Sequence, residues 1–158
     1  YGLEESKKMA EKLINEARET GMRMAVVTTT TPQNVTALLD NTLGKNSESW
    51  FEVIAAGDIV PAKKPAPDIY IWALEQMNLT PADAIAFEDS YNGYQSSKQS
   101  NLKTIITVNG YTAEDDFTGA DLILDQMGEE GNPFTVMSGN AYGQTFLDLD
   151  LVKKVHAG

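Results

Sequence analysis

The chain has 158 residues, is 42% hydrophobic and carries a formal charge of −11, with no cysteine. This length and composition suit one packed domain, or one domain with a fragment of another, and exclude disorder of the whole chain. No apolar stretch approaches the ~20 residues of a membrane span, and the acidic balance argues against nucleic acid and anionic membranes as partners, since a phosphate backbone is bound by clustered Lys and Arg. Disulfides and thiolate metal sites are excluded, which fits a reducing compartment.

In chain order, Leu3 to Thr20 carries Met9, Leu13, Ile14 and Ala17 at helical spacing and stops at Gly21. The run 23–28, "RMAVVT", reads as a strand, and Thr31 followed by Pro32 reads as the cap and first residue of a helix whose apolar face is Val35, Leu38 and Leu39. "FEVIAAG", 51–57, is a second strand, and Pro67 opens a helix bearing Ile69, Ile71, Trp72, Leu74 and Met77. Residues 84–88 form a third strand, 90–100 a weakly apolar helix, 102–108 and 120–125 two more strands. From 126 to 147 the Gly, Asn and Ser content reads as loop, and Asp148 caps a terminal helix with Leu151, Val152 and Val155 inward. The expected division is thus 1–125 as core and 126–158 as a loop-rich tail with a short helix. Alternating helices and strands predict an α/β fold, a three-layer Rossmann-like parallel sheet with helices on both faces. Ligands bind beyond the carboxyl ends of such strands, so the residues just after each strand carry the functional expectation.

Three such places stand out. Thr28 and Thr29 begin a threonine run between the first strand and a helix start, where unpaired N–H groups and the helix dipole favour an anion. "PAKKPAPDIY" places Lys63 and Lys64 before a Pro-x-Pro that stiffens the backbone and launches a helix. "AIAFEDSYNG" ends a buried strand in Glu88 and Asp89, and carboxylates there need positive compensation. Magnesium suits such a pair, because it takes oxygen ligands and combines one or two carboxylates with substrate phosphate and water; the alternative is helix capping by Asp89 or Ser90 with Glu88 facing solvent. Each feature alone fits an ordinary cap, surface pair or acidic pair; together they describe a phosphate site with a divalent metal.

On "MAVVTTTTPQNV", "AKKPAPDIY" and "AIAFEDSYNGYQSS", the chain resembles the haloacid dehalogenase superfamily, in its branch of CbbY-type and β-phosphoglucomutase-like sugar-phosphate enzymes, over roughly residues 10–125. The resemblance implies a Mg²⁺-dependent phosphomonoester hydrolase working through an aspartyl-phosphate. Thr28 and the Thr29 N–H would hold the phosphoryl group, Lys64 rather than Lys63 would neutralise it, and Asp89 with Glu88 would hold Mg²⁺. The family's first motif, Asp-x-Asp-Gly-Thr, does not precede Thr28, and the cap domain is missing too. Asp148-Leu149-Asp150 lies at the wrong end and lacks the Gly-Thr. The expectation is therefore the C-terminal part of a longer core, inactive alone, completed by an N-terminal segment or a swapped copy. In this family the missing strand lies mid-sheet, so two edges would face each other across a gap. A non-catalytic phosphoryl-binding subunit and a mutase are the alternative readings. The implied partner is a small phosphorylated substrate, and the implied location cytoplasm or, in a photosynthetic eukaryote, plastid stroma.

Overall fold

The computed structural model describes residues 3–158, with side chains from residue 8 onward. Helix α1 (Leu3–Glu19) leads to strand β1 (Ala25–Val27), helix α2 (Pro32–Leu43) and strand β2 (Val53–Ala55). Helix α3 (Asp68–Met77), strand β3 (Ile85–Glu88), helix α4 (Tyr91–Gln99) and strand β4 (Lys103–Thr107) continue the alternation. Strands β5 (Leu122–Leu124) and β6 (Val136–Gly139) and helix α5 (Leu149–Ala157) close the chain. The boundaries follow local chemistry. Thr31 caps α2 by accepting from Asn34 N–H at 3.3 Å, with Pro32 in the first turn. Ser90 caps α4 through Gly93 N–H, and Asp148 caps α5 through Leu151 N–H at 2.8 Å. The Asp148–Asp150 pair is therefore a helix start.

The strands form two sheets. β1 pairs with β2 in parallel, and β3, β4 and β5 run parallel in that order. Alternate strand residues face opposite helix layers. Val27, Val53, Ala55 and Ala86 pack with Ile69, Tyr70, Ala73 and Leu74 of α3. Val26 and Ile54 pack against Val35 and Leu39 of α2, while Ile85 and Ile105 pack toward Leu151, Val152 and Val155 of α5. Ile106 lies against Tyr94 of α4. The result is a Rossmann-like α/β core with α1, α2 and α5 on one face and α3 and α4 on the other. No helix among the described residues is long and apolar enough to cross a membrane.

The loop expectation for 126–147 is corrected at one place. β6 pairs antiparallel with β5, Leu122 opposite Gly139 and Ile123 opposite Ser138, with a register irregularity at Ile123 and Leu124. All four β6 residues are exposed, so no apolar alternation announces the strand. Gly139 sits at φ 96°, where a Cβ would meet Asp121 O at 2.4 Å; only glycine allows this approach of the two backbones. The segment beyond 125 thus adds a strand to the sheet and, through α5, four buried side chains, Leu149, Leu151, Val152 and Val155.

The two sheets do not touch through hydrogen bonds: β1 and β3 each present a free edge. Between them runs a groove of about 550 Å³, lined by Leu13 and Ile14 from α1, Val27, Leu74, Phe87 and Val152. The gap expected between two facing edges is present.

At the sheet's amino end, Arg23 donates from Nε to Glu52 at 2.8 Å and from Nη2 to Met77 O at 2.6 Å. The guanidinium hydrogen bond holds the Glu52 carboxyl below the usual carboxylate range. A folded-state value below the unfolded one contributes stability that is whole above the ordinary carboxylate range and is lost as pH falls through the folded value. Glu52→Gln should therefore flatten the acid limb of stability against pH, read from urea midpoints across acidic pH. In the core, Leu151→Ala, at a fully buried position, should cost about 2–5 kcal/mol in the same measurement at neutral pH.

Candidate active site

The carboxyl ends of β1 and β3, the 61–67 loop and the start of α4 enclose one polar cavity of about 450 Å³. Its walls are Val27, Thr28, Thr29, Lys64, Glu88, Asp89, Ser90, Asn92 and Gly93. All five residues expected from the sequence to bind phosphate or metal line it. Lys63 does not; it pairs with Asp58 at 3.1 Å on the surface.

Lys64 and Glu88 form the site's nearly buried ion pair, Nζ to Oε1 at 2.6 Å, with side-chain exposures of 12% and 8%. The same ammonium donates to Val27 O at 3.0 Å, and the Tyr70 hydroxyl donates to Glu88 Oε1 at 2.5 Å. Lys64 Nζ also stands 5.2 Å from the Tyr70 ring centroid. Burial, then the adjacent Glu88 charge, push the Tyr70 hydroxyl well above its ordinary value, so it remains a donor. Gly93 makes room for the carboxylate: a Cβ there would lie 1.9 Å from Glu88 Oε2.

The loop that aims Lys64 is pinned from α4. Ser96 Oγ donates to Ala66 O at 2.7 Å and Gln99 Nε2 donates to Pro65 O at 2.8 Å. The Lys64–Pro65 peptide is cis. Thr28 Oγ1 accepts from Thr30 N–H at 3.1 Å, turning the chain at the end of β1. Sequence reasoning missed Tyr70, Ser96 and Gln99. Tyr70 lies two residues into α3 and faces inward beside Ile69, a position the helical period of "PDIYIWAL" marks as core; Ser96 and Gln99 leave no signal in a polar helix.

The donor set of the cavity suits magnesium. Glu88 and Asp89 offer hard oxygens at a strand end, beside the hydroxyls of Ser90 and Thr28, with no nitrogen or sulfur ligand in the wall. Among the described residues no three His, Cys, Asp or Glu side chains converge on a metal position. Two carboxylates, completed by phosphate and water, fit the way magnesium is held.

The profile of the haloacid dehalogenase-like hydrolases matches residues 4–107. The chain belongs to this family. It is 48% identical over 110 residues to protein CbbY of Rhodobacter capsulatus, covering 70% of this chain and 48% of that protein. Protein CbbY of Cereibacter sphaeroides is 45% identical over 75% of this chain and 52% of its own length. The crystal structure of CbbY from Rhodobacter sphaeroides in complex with xylulose-(1,5)bisphosphate superposes with a TM-score of 0.70 at 46% identity, covering 72% of this chain and 51% of that one. A β-phosphoglucomutase from Clostridium difficile, 18% identical, shares the fold at a TM-score of 0.66 over 94% of this chain and 55% of its own. The chain spans about half the length of the curated relatives it matches.

The packing around Glu88 makes a direct prediction. Gly93→Ala should displace the Glu88 carboxylate from Lys64 and Tyr70 and cost about 1–3 kcal/mol by overpacking. Urea unfolding measures the loss, and a structure of the variant should show Glu88 turned outward.

Proposed function

We propose that this chain carries the phosphoryl- and metal-binding half of a phosphomonoester hydrolase acting on a small sugar phosphate. The observation that carries the reading is the meeting of Thr28, Thr29, Lys64, Glu88 and Asp89 around one cavity from three separate stretches of sequence. The 46% identity to a CbbY crystallised with xylulose-(1,5)bisphosphate supports a sugar phosphate as the ligand class.

In this reading the Thr28 hydroxyl and the Thr29 N–H donate to phosphoryl oxygens, and Lys64 neutralises the charge on the transferring group. Glu88 and Asp89 would hold Mg²⁺, which when bound supplies positive charge against the phosphoryl oxygens. Tyr70 fixes Glu88 Oε1, and the α4 side chains Ser96 and Gln99 fix the loop under Lys64. Phosphoryl transfer needs little covalent help beyond positioning and charge stabilisation, which this set provides. The phosphoryl group passes from the sugar oxygen to an aspartate oxygen, and water then attacks phosphorus to release orthophosphate and restore the carboxylate. In this reading Glu88 and Asp89 of the cavity wall serve the metal, and the aspartate that takes the phosphoryl group would come from outside these 158 residues. A non-catalytic phosphoryl-binding subunit is the second reading, favoured by the pairing of Lys64 with Glu88 in place of a nucleophile.

The complete natural protein should release phosphate from small sugar bisphosphates only with Mg²⁺. Lys64→Ala and Asp89→Asn should each lower kcat by on the order of 10²–10³, with folding checked by circular dichroism. Turnover that survives chelation, or a folded Lys64→Ala protein of undiminished rate, contradicts the hydrolase reading. The 158 residues alone should show no turnover.

A further inference from the structure

Residues 131–147 hold no Asp, Glu, Lys or Arg, in a chain of which such residues make up 22%. Burial does not explain the lack of charge, because residues 135–140 are all exposed. The segment is nonetheless held firmly at both ends. Phe134 and Leu147 are buried in one cluster with Leu122 and Leu151. Phe134 N–H donates to Thr145 O at 2.9 Å, and Leu147 N–H donates to Met127 O at 2.6 Å. Between these anchors β6 is the last strand of its sheet, so one row of its main-chain groups faces no strand among the described residues.

Thr135 shows which groups face outward. Its O accepts from Asp125 N–H at 3.2 Å and its N–H donates to Asp125 Oδ1 at 2.6 Å, so both turn toward β5. By antiparallel alternation the N–H and O of Val136 then turn away from the sheet. Natural sheet edges are guarded by lysine, proline or an inward charge, and β6 has none of these. The one guard present is the register irregularity that leaves Met137 without a partner on β5. It sets two apolar side chains at the edge, Val136 at 38% and Met137 at 49% exposure. None of these residues lines the polar cavity.

Electrostatics select the occupant of this edge. Each copy of the chain carries −11, so two copies repel wherever charged faces meet and approach most easily where both are uncharged. A basic partner finds no charge complement along 131–147 and finds many elsewhere on the surface. A segment completing the sheet from outside these residues would enter beside β3, at the opposite edge. An antiparallel edge is self-complementary, since a two-fold axis satisfies both rows of groups at once and closes the assembly at two copies. We propose that β6 pairs antiparallel with β6 of a second copy, about a two-fold axis at Val136. The Val136 N–H of each protomer donates to the Val136 O of the other, and the exposed side chains of Val136 and Met137 are covered. So short a strand pair buries less than a standard interface, so the dimer is weak and reversible.

Sedimentation velocity of the 158-residue chain, from about 10 µM to about 1 mM, should show monomer passing into dimer. Over the same range amide exchange at Val136 should slow by roughly threefold or more, while the Ile105 and Ile106 amides of β4, protected throughout, report a folded chain. Added salt should tighten the dimer by about twofold or more, because it screens the repulsion between two acidic copies and breaks no ion pair. Val136→Pro removes the outward donor and leaves the Thr135 bonds to β5 in place, and Met137→Lys sets a like charge at the axis. Each should weaken the dimer by on the order of tenfold or more; the lysine variant decides the matter if the proline disturbs the strand. A chain that stays monomeric to about 1 mM overturns the pairing. So does a dimer that folded Met137→Lys protein forms equally well, which places the contact on another surface. A dimer that salt dissolves, or assembly that continues past two copies, contradicts an uncharged two-fold edge.

Discussion

One ammonium group ties the two sheets together where the chemistry is expected. Lys64 Nζ is the hydrogen-bonded link between the end of β1, at Val27 O, and the end of β3, at Glu88. An ion pair this little exposed is costly to form and costly to break, because each charge is left without water if its partner goes. The structure lowers the cost by adding donors and fixing geometry. Tyr70 donates to the same carboxylate oxygen, Gly93 leaves space behind the other, and Ser96 and Gln99 hold the loop beneath the lysine. The charges of the polar cavity are thus arranged around that ammonium.

The architecture was legible because its signals are redundant. Thr31-Pro32, Ser90 and Asp148 announce helix starts, and the apolar runs between them are too short for anything but buried strands. The alternation then places Thr28, Lys64 and Glu88 at one end of the strands before any contact is known. β6 was hidden because its four residues are exposed and carry no period, and its pairing depends on Gly139 approaching Asp121 O. The supporting residues were hidden for another reason. The apolar face read for this helix omits Tyr70; its ring lines the core, but its hydroxyl reaches Glu88, and nothing in a helical period reports where the far end of a side chain lands. Ser96 and Gln99 act through loop carbonyls some thirty residues away in sequence (|i−j| of 30 and 34).

The division of labour across the fold follows from the same geometry. Apolar side chains from α3 and α5 bury the strands, and the polar residues collect at the carboxyl ends, where backbone N–H groups are unpaired and helices begin. The site shares the chain's acidic sign, with Lys64 set against both Glu88 and Asp89 in its wall. The chain carries −11 overall, so in the proposed reading an anionic substrate would depend on Lys64 and the N–H groups for attraction, and on a divalent cation to offset Glu88 and Asp89.

The central claim is that Thr28, Thr29, Glu88 and Asp89 share one cation- and phosphate-binding cavity. Manganese, added as a paramagnetic stand-in for magnesium in the presence of inorganic phosphate, tests it through line broadening in backbone amide spectra. The account predicts broadening centred on residues 28–29 and 88–93 that Asp89→Asn abolishes. Broadening centred elsewhere, such as the acidic stretch Glu114–Asp116, or unchanged in Asp89→Asn, would contradict it.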